Sequence, residues 1–96
     1  MNLKKYLEDA VNNQAADIFI VAGKAFSYTS NGRIISIGEK LLPMDTESLI
    51  KQIYDFAGRD ISILKKDLDD DFSFSLANIG RFRVNSFIQR GSLAAV

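Results

Sequence analysis

Apolar and polar residues alternate through Gly80-Arg81-Phe82-Arg83-Val84-Asn85-Ser86-Phe87-Ile88-Gln89. In an extended strand this spacing puts Phe82, Val84, Ser86 and Ile88 on one face and Arg81, Arg83, Asn85 and Phe87 on the other. Asp71-Phe72-Ser73-Phe74-Ser75-Leu76 alternates in the same way before it, and an apolar run from Ser92 to Val96 follows Arg90-Gly91. Together the three runs predict an antiparallel meander with the arginine-bearing strand in the middle. Matching the apolar faces of the first two strands requires a connection of three or five residues, because four would set Phe74 opposite Arg83. Arg90-Gly91 then turns the chain back and brings Ile88 beside Leu93.

Upstream the period changes. Leu3, Tyr6, Leu7, Ala10 and Val11 recur at helical spacing, which predicts an amphipathic helix over residues 2–13 with Asn2 as its cap. Asp17-Ile18-Phe19-Ile20-Val21 is short and rich in β-branched residues and reads as a strand broken by Gly23. Asn31-Gly32 sits between two alternating runs and predicts a tight hairpin, since both turn residues must adopt positive φ. That turn sets Ser30 opposite Arg33, Tyr28 opposite Ile35, and Phe26 opposite Ile37. Pro43 closes a loop, Asp45 caps a second helix carrying Leu49, Ile50, Ile53, Tyr54, Phe56 and Ala57 at helical spacing, and Gly58 ends it. A third, short helix follows over residues 59–66, with Ile61 and Leu64 turned inward. The predicted core is Ile18, Ile20, Tyr28, Ile35, Leu49, Ile53, Phe72, Phe74, Phe82 and Val84.

Ninety-six residues, 47% hydrophobic and 25% charged, suit one soluble domain with a single core. Lys and Arg balance Asp and Glu at 12 each, which argues against nucleic-acid binding driven by bulk positive charge. The chain has no Cys and no His. Disulfide and thiolate chemistry are excluded, and so are the usual neutral-pH general base and the commonest metal ligand. No apolar run approaches the ~20 residues of a membrane span, and the N-terminus lacks the apolar segment of a secretory signal. The expected location is the cytoplasm. The chain stops inside an apolar strand, which suggests a piece of something longer.

Three patterns invite a chemical reading. The acidic run Asp67-Leu68-Asp69-Asp70-Asp71 starts like a calcium loop, but Phe72 and Asn78 stand where Gly and Glu are needed. It reads instead as a solvated loop entering a strand. Val21-Ala22-Gly23-Lys24-Ala25 lacks the upstream Gly and the following Ser or Thr of a phosphate-binding loop. No hydroxyl has a base beside it, so the chain by itself is not read as an enzyme. The basic-aromatic strand Gly80 to Phe87 is loosely similar to those that stack RNA bases, yet Phe82 is turned to the core and only Phe87 shares a face with the arginines. From the pattern alone, a solvated sheet face is the better account of Arg81 and Arg83.

Several short motifs in order carry a more specific likeness: Ala16-Asp17-Ile18-Phe19-Ile20-Val21-Ala22-Gly23, Asn31-Gly32, Asp71-Phe72-Ser73-Phe74, Gly80-Arg81-Phe82-Arg83-Val84-Asn85 and Gln89-Arg90-Gly91. Over nearly the whole chain they resemble the N-terminal domain of PilT-type ATPases, the twitching-motility motors of type IV pili within the secretion ATPase superfamily. Two features depart from that family: Ala16 stands where a serine is frequent, and Lys24-Ala25 follows the glycine where a proline is frequent.

The resemblance implies an α+β fold, a PAS-like antiparallel sheet with helices packed on it. It implies a separate C-terminal RecA-like ATPase domain outside this chain, a homo-hexameric ring, and a pilus inner-membrane platform protein as partner. ATP and Mg would belong to the full-length protein, with no cofactor or metal in this domain and no nucleic acid. The location implied is the cytoplasmic face of the membrane at the pilus base. By motif, Arg83, with Arg81 and Arg90 next, would approach the nucleotide phosphates. The alternative is a free-standing PAS-like module that binds a small ligand or nucleic acid.

Overall fold

The computed structural model describes residues 2–89 and 92–95. Helix α1 spans Leu3–Asn12, and the side chain of Asn2 caps it by accepting the Lys5 N–H at 3.3 Å. Its apolar stripe buries Leu3, Leu7 and Ala10. Strands β1 (Asp17–Phe19), β2 (Ala25–Ser30) and β3 (Arg33–Lys40) form one antiparallel sheet in that order. Asn31 and Gly32 take the positive φ that the turn demands, and Phe26↔Ile37, Tyr28↔Ile35 and Ser30↔Arg33 pair as the two-residue turn requires. The register shifts between Ala25 and Phe26, where Gly38 at φ +73 absorbs a bulge.

Helix α1 docks on this sheet. Tyr6 stacks on Phe26 with ring centroids 4.4 Å apart. The Tyr28 hydroxyl donates to Asp9 at 3.1 Å, and the Ser30 hydroxyl donates to the Asn13 carbonyl at 2.6 Å.

Helix α2 runs Pro43–Ala57. Asp45 does not cap it. Leu42 occupies the cap position, and Asp45, three residues on, accepts the Leu42 N–H at 2.8 Å. Pro43 therefore opens the helix rather than closing a loop, its missing N–H being one that the first turn leaves unbonded anyway. Gly58, at φ +63, ends the helix in the left-handed conformation. Helix α3 is shorter than the expected span, Ser62–Asp67, with Leu64 fully buried and Ile61 packed against the core.

Strands β4 (Asp69–Leu76), β5 (Gly80–Gln89) and β6 (Ser92–Ala95) form the second sheet, the expected meander. A three-residue turn sets Phe74 opposite Phe82 and Phe72 opposite Val84, and Ile88 pairs with Leu93. The turn expected at Arg90-Gly91 lies outside the described residues. Helix α2 rests on β4 and β6, and α3 rests on β4 and β5. The architecture is mixed α+β, with antiparallel strands and helices packed on both sheets.

Of the expected core, Ile20, Tyr28, Leu49, Ile53, Phe74 and Val84 are buried, and Ile18, Phe72 and Phe82 are half-buried against them. Ile35 is the exception, 37% exposed. Alternation places it on the same face as Ile37, but β3 is an edge strand and among its residues only Ile37 is drawn into the core.

Candidate functional site

The two arginines of β5 stand on its outer face. Arg83 is directly opposite Ser73, a small neighbour that leaves its guanidinium free to lean along the sheet to Asp71. Its Nη2 donates to Asp71 Oδ2 at 3.0 Å and its Nε to Oδ1 at 3.4 Å. Both side chains are wet, Arg83 83% and Asp71 52% exposed. The hydrogen bonds from Arg83 hold the Asp71 carboxyl below its ordinary range and raise the guanidinium's own pKa in turn. The pair is a solvated one, of the sort that contributes little to stability. Arg81 is exposed, opposite Ser75. Arg90 lies outside the described residues.

Arg81, Arg83 and Asp71 also border a cleft of about 590 Å³ between the sheets. Its apolar side is formed by Leu7 and Val11 of α1, Ile18 of β1, and Phe74 and Phe82. The cleft therefore combines an apolar lining with charges of both signs, Asp17 and Asp71 beside Arg81 and Arg83.

Directly beneath, on the buried side of the same strands, lies a cluster that the alternation argument missed. Asp70 is only 7% exposed and is not part of a solvated loop. It sits in β4 opposite Ser86. Arg59, just past the end of α2, grips it with two hydrogen bonds of 2.6 and 2.7 Å. The Tyr54 hydroxyl donates to Asp70 Oδ2 at 2.9 Å and lies 2.7 Å from Ser86 Oγ. The Arg59 guanidinium also lies over the Phe72 ring, 5.1 Å from its centroid. Hydrogen bonding to Arg59 keeps the Asp70 carboxyl low, and burial pushes Tyr54 up to about 12. Among the described residues no buried polar side-chain atom lacks a partner. One signal could have exposed the cluster. Asp70 is two residues before Phe72 and four before Phe74, so the same period that buries the phenylalanines buries it.

The Gly23 segment shows why it cannot cradle a phosphate. Gly23 N–H donates to the Leu41 carbonyl at 2.8 Å, Leu41 N–H returns to Lys24 at 2.9 Å, and Lys24 N–H closes on Val21 at 3.3 Å. These amides are spent within the fold. Among the described residues no three His, Cys, Asp or Glu side chains converge on a possible metal position, and no helix is long and apolar enough to cross a membrane.

No family model matches the chain. It is 32% identical over 98 aligned positions to the type IV pilus ATPase PilU of Pseudomonas aeruginosa, an alignment covering 100% of this chain and 25% of PilU. The crystal structure of the pilus retraction motor PilT with bound ADP superposes with a TM-score of 0.82 at 32% identity, covering 99% of this chain and 28% of that one. The Legionella pneumophila ATPase DotB shares the fold, with a TM-score of 0.74 at 23% identity over 97% of this chain and 26% of its own. The chain thus spans about a quarter of each relative. Fold and sequence likeness together define the N-terminal domain of a secretion ATPase. Within that superfamily the chain belongs to the PilT family.

Proposed function

We propose that this domain closes the nucleotide cleft and makes subunit contacts in a hexameric type IV pilus retraction ATPase, with Arg83 offered to the ATP phosphates. One observation carries the reading: the Arg83 guanidinium is held outside the fold by a single half-exposed carboxylate. A polyphosphate presents more negative charge than Asp71 and accepts the same bidentate fork, so Arg83 can exchange partners without any change in backbone. Arg81 stands beside it on the same face, and Arg90 is the third candidate.

The residues here fit one part of the nucleotide, its phosphate charge. They do not fit magnesium: among the described residues no three carboxylates converge. The phosphate loop, the metal ligands and the catalytic acid belong in this reading to a C-terminal RecA-like domain, from the same and neighbouring subunits. Its setting is the cytoplasmic face of the inner membrane, against the platform protein of the pilus. The PAS-like arrangement implied by the motifs belongs to the same proposal; the described strands themselves form two three-stranded sheets.

The test is the complete protein with Arg83→Ala, assayed at saturating ATP with the ring intact. Turnover should fall by ~10³-fold, as for arginines that act on transferring phosphates, and Arg83→Lys should restore little. Unchanged turnover would return Arg83 to the status of a surface cation. The present chain alone should hydrolyse no ATP above buffer. A second reading, a free-standing module for a small ligand, draws on the partly apolar cleft of about 590 Å³; saturable binding of a small apolar molecule there by this chain would favour it.

A further inference from the structure

We propose that Tyr54, Arg59, Asp70 and Ser86 form a positioning device for the arginine strand, setting the stance of Arg83 from the buried side of the sheet. The inference rests on the phosphate-facing reading of Arg83 and names the residues that aim it. Adjacent aspartates on β4 divide the work. Asp70 points inward to Arg59 and Tyr54, whereas Asp71 points outward to Arg83. Ser86 is opposite Asp70, and three residues back along β5 stands Arg83. A one-residue slip of β5 would turn Arg83 to the other face, and a one-residue slip of β4 would put Asp71 where Asp70 now sits.

The apolar pairs Phe72↔Val84 and Phe74↔Phe82 also oppose a slip, but apolar contact is non-directional. The hydrogen-bonded cluster is directional, and three of its members come from three different elements. Tyr54 belongs to α2, Asp70 to β4 and Ser86 to β5, with Arg59 joining α2 to α3. Any tilt of α2 is therefore passed to β5 through short, partly desolvated contacts, which low dielectric strengthens. Tyr54 stays protonated, and so remains a donor, far above neutral pH.

Two measurements test this. In the present chain, the Asp71 carboxyl is titrated by NMR in wild type, Tyr54→Phe and Ser86→Ala. Neither substitution touches Asp71, yet both should move its midpoint up toward the ordinary carboxylate value as the grip of Arg83 loosens. An unmoved midpoint in both folded variants overturns the inference. In the complete protein, Tyr54→Phe should lower kcat by ~10-fold or more with KM for ATP little changed, since small misplacements of a positioned group are costly. In an Arg83→Ala background the same change should cost nothing further.

A fall in kcat that persists in that background would mean that Tyr54 acts elsewhere, and would overturn the inference. If Arg83→Ala itself leaves turnover unchanged, the functional reading falls, and the Asp71 titration still decides whether the cluster positions the pair. Ser86→Ala, which leaves the Arg59–Asp70 contact in place, serves if Tyr54→Phe does not fold.

Discussion

Asp70 and Asp71 are neighbours on one strand and serve opposite sides of it. Asp70 faces the interior, held by Arg59 at 2.6 Å, and Asp71 faces solvent, holding Arg83 at 3.0 Å. The two carboxyls have the same chemistry and both are lowered by a guanidinium. Only the pleat separates a buried structural ion pair from a solvated one.

Acid should reveal the inner pair. A carboxyl whose pKa is depressed in the fold contributes stability that is complete above its unfolded value, ~3.9, and that is lost as pH falls through the folded value. Urea midpoints should therefore hold steady down to about pH 5 and fall below about pH 4. Asp70→Asn should lower the plateau and flatten that fall. An equally steep fall in the variant would assign it to other carboxylates.

Base should reveal Tyr54. Its pKa is raised to about 12, so its stabilisation is complete below the ordinary phenol value of ~10 and disappears as pH rises toward 12. Burial and the Asp9 carboxylate also raise Tyr28, so of the chain's three tyrosines phenolate absorbance should show Tyr54 ionising last, together with unfolding. Tyr54→Phe should abolish that late step. Its persistence would give the step to another tyrosine.

Phe74→Ala should destabilise the domain by about 3–5 kcal/mol, the range for removing a large buried aromatic ring. Phe74 is buried and stacks on Phe82 at 5.2 Å. A loss well under that range, read from chemical denaturation, would mean that the wall between the sheets collapses readily on the vacancy.

Gly58→Ala meets no neighbouring atom within 4 Å, so any cost must come from the backbone, at φ +63. The left-handed conformation costs a non-glycine residue about 1–2 kcal/mol. A neutral substitution in thermal melts would show that α2 can end another way.

Much of the fold was legible because it is local. Asn31-Gly32 dictates its turn, and the phenylalanine spacing of β4 dictates a three- or five-residue connection to β5, of which the three-residue one occurs. The outward direction of Arg83 followed from the same alternation. Ile35 was misjudged because period reports the face of a strand and not how far the layer above extends. Asp45 was misjudged because the aspartate of a capping box at the third helical position resembles one at the cap. The Arg59–Asp70 pair escaped because each residue alone looks like ordinary surface charge, and their meeting depends on where α2 ends above β4.

Strand β5 has one further property. Among the described residues β6 pairs with it only at Ser86–Gln89, so on that side the stretch bearing Arg81 and Arg83 has no described ladder partner. Any strand rim left without a ladder partner is a template on which copies can zip into fibrils. Antiparallel approach of two such rims would bring guanidinium toward guanidinium at alternating positions, and like charges set opposite one another repel. The guanidiniums that project from this strand thus make it a poor seed for self-assembly.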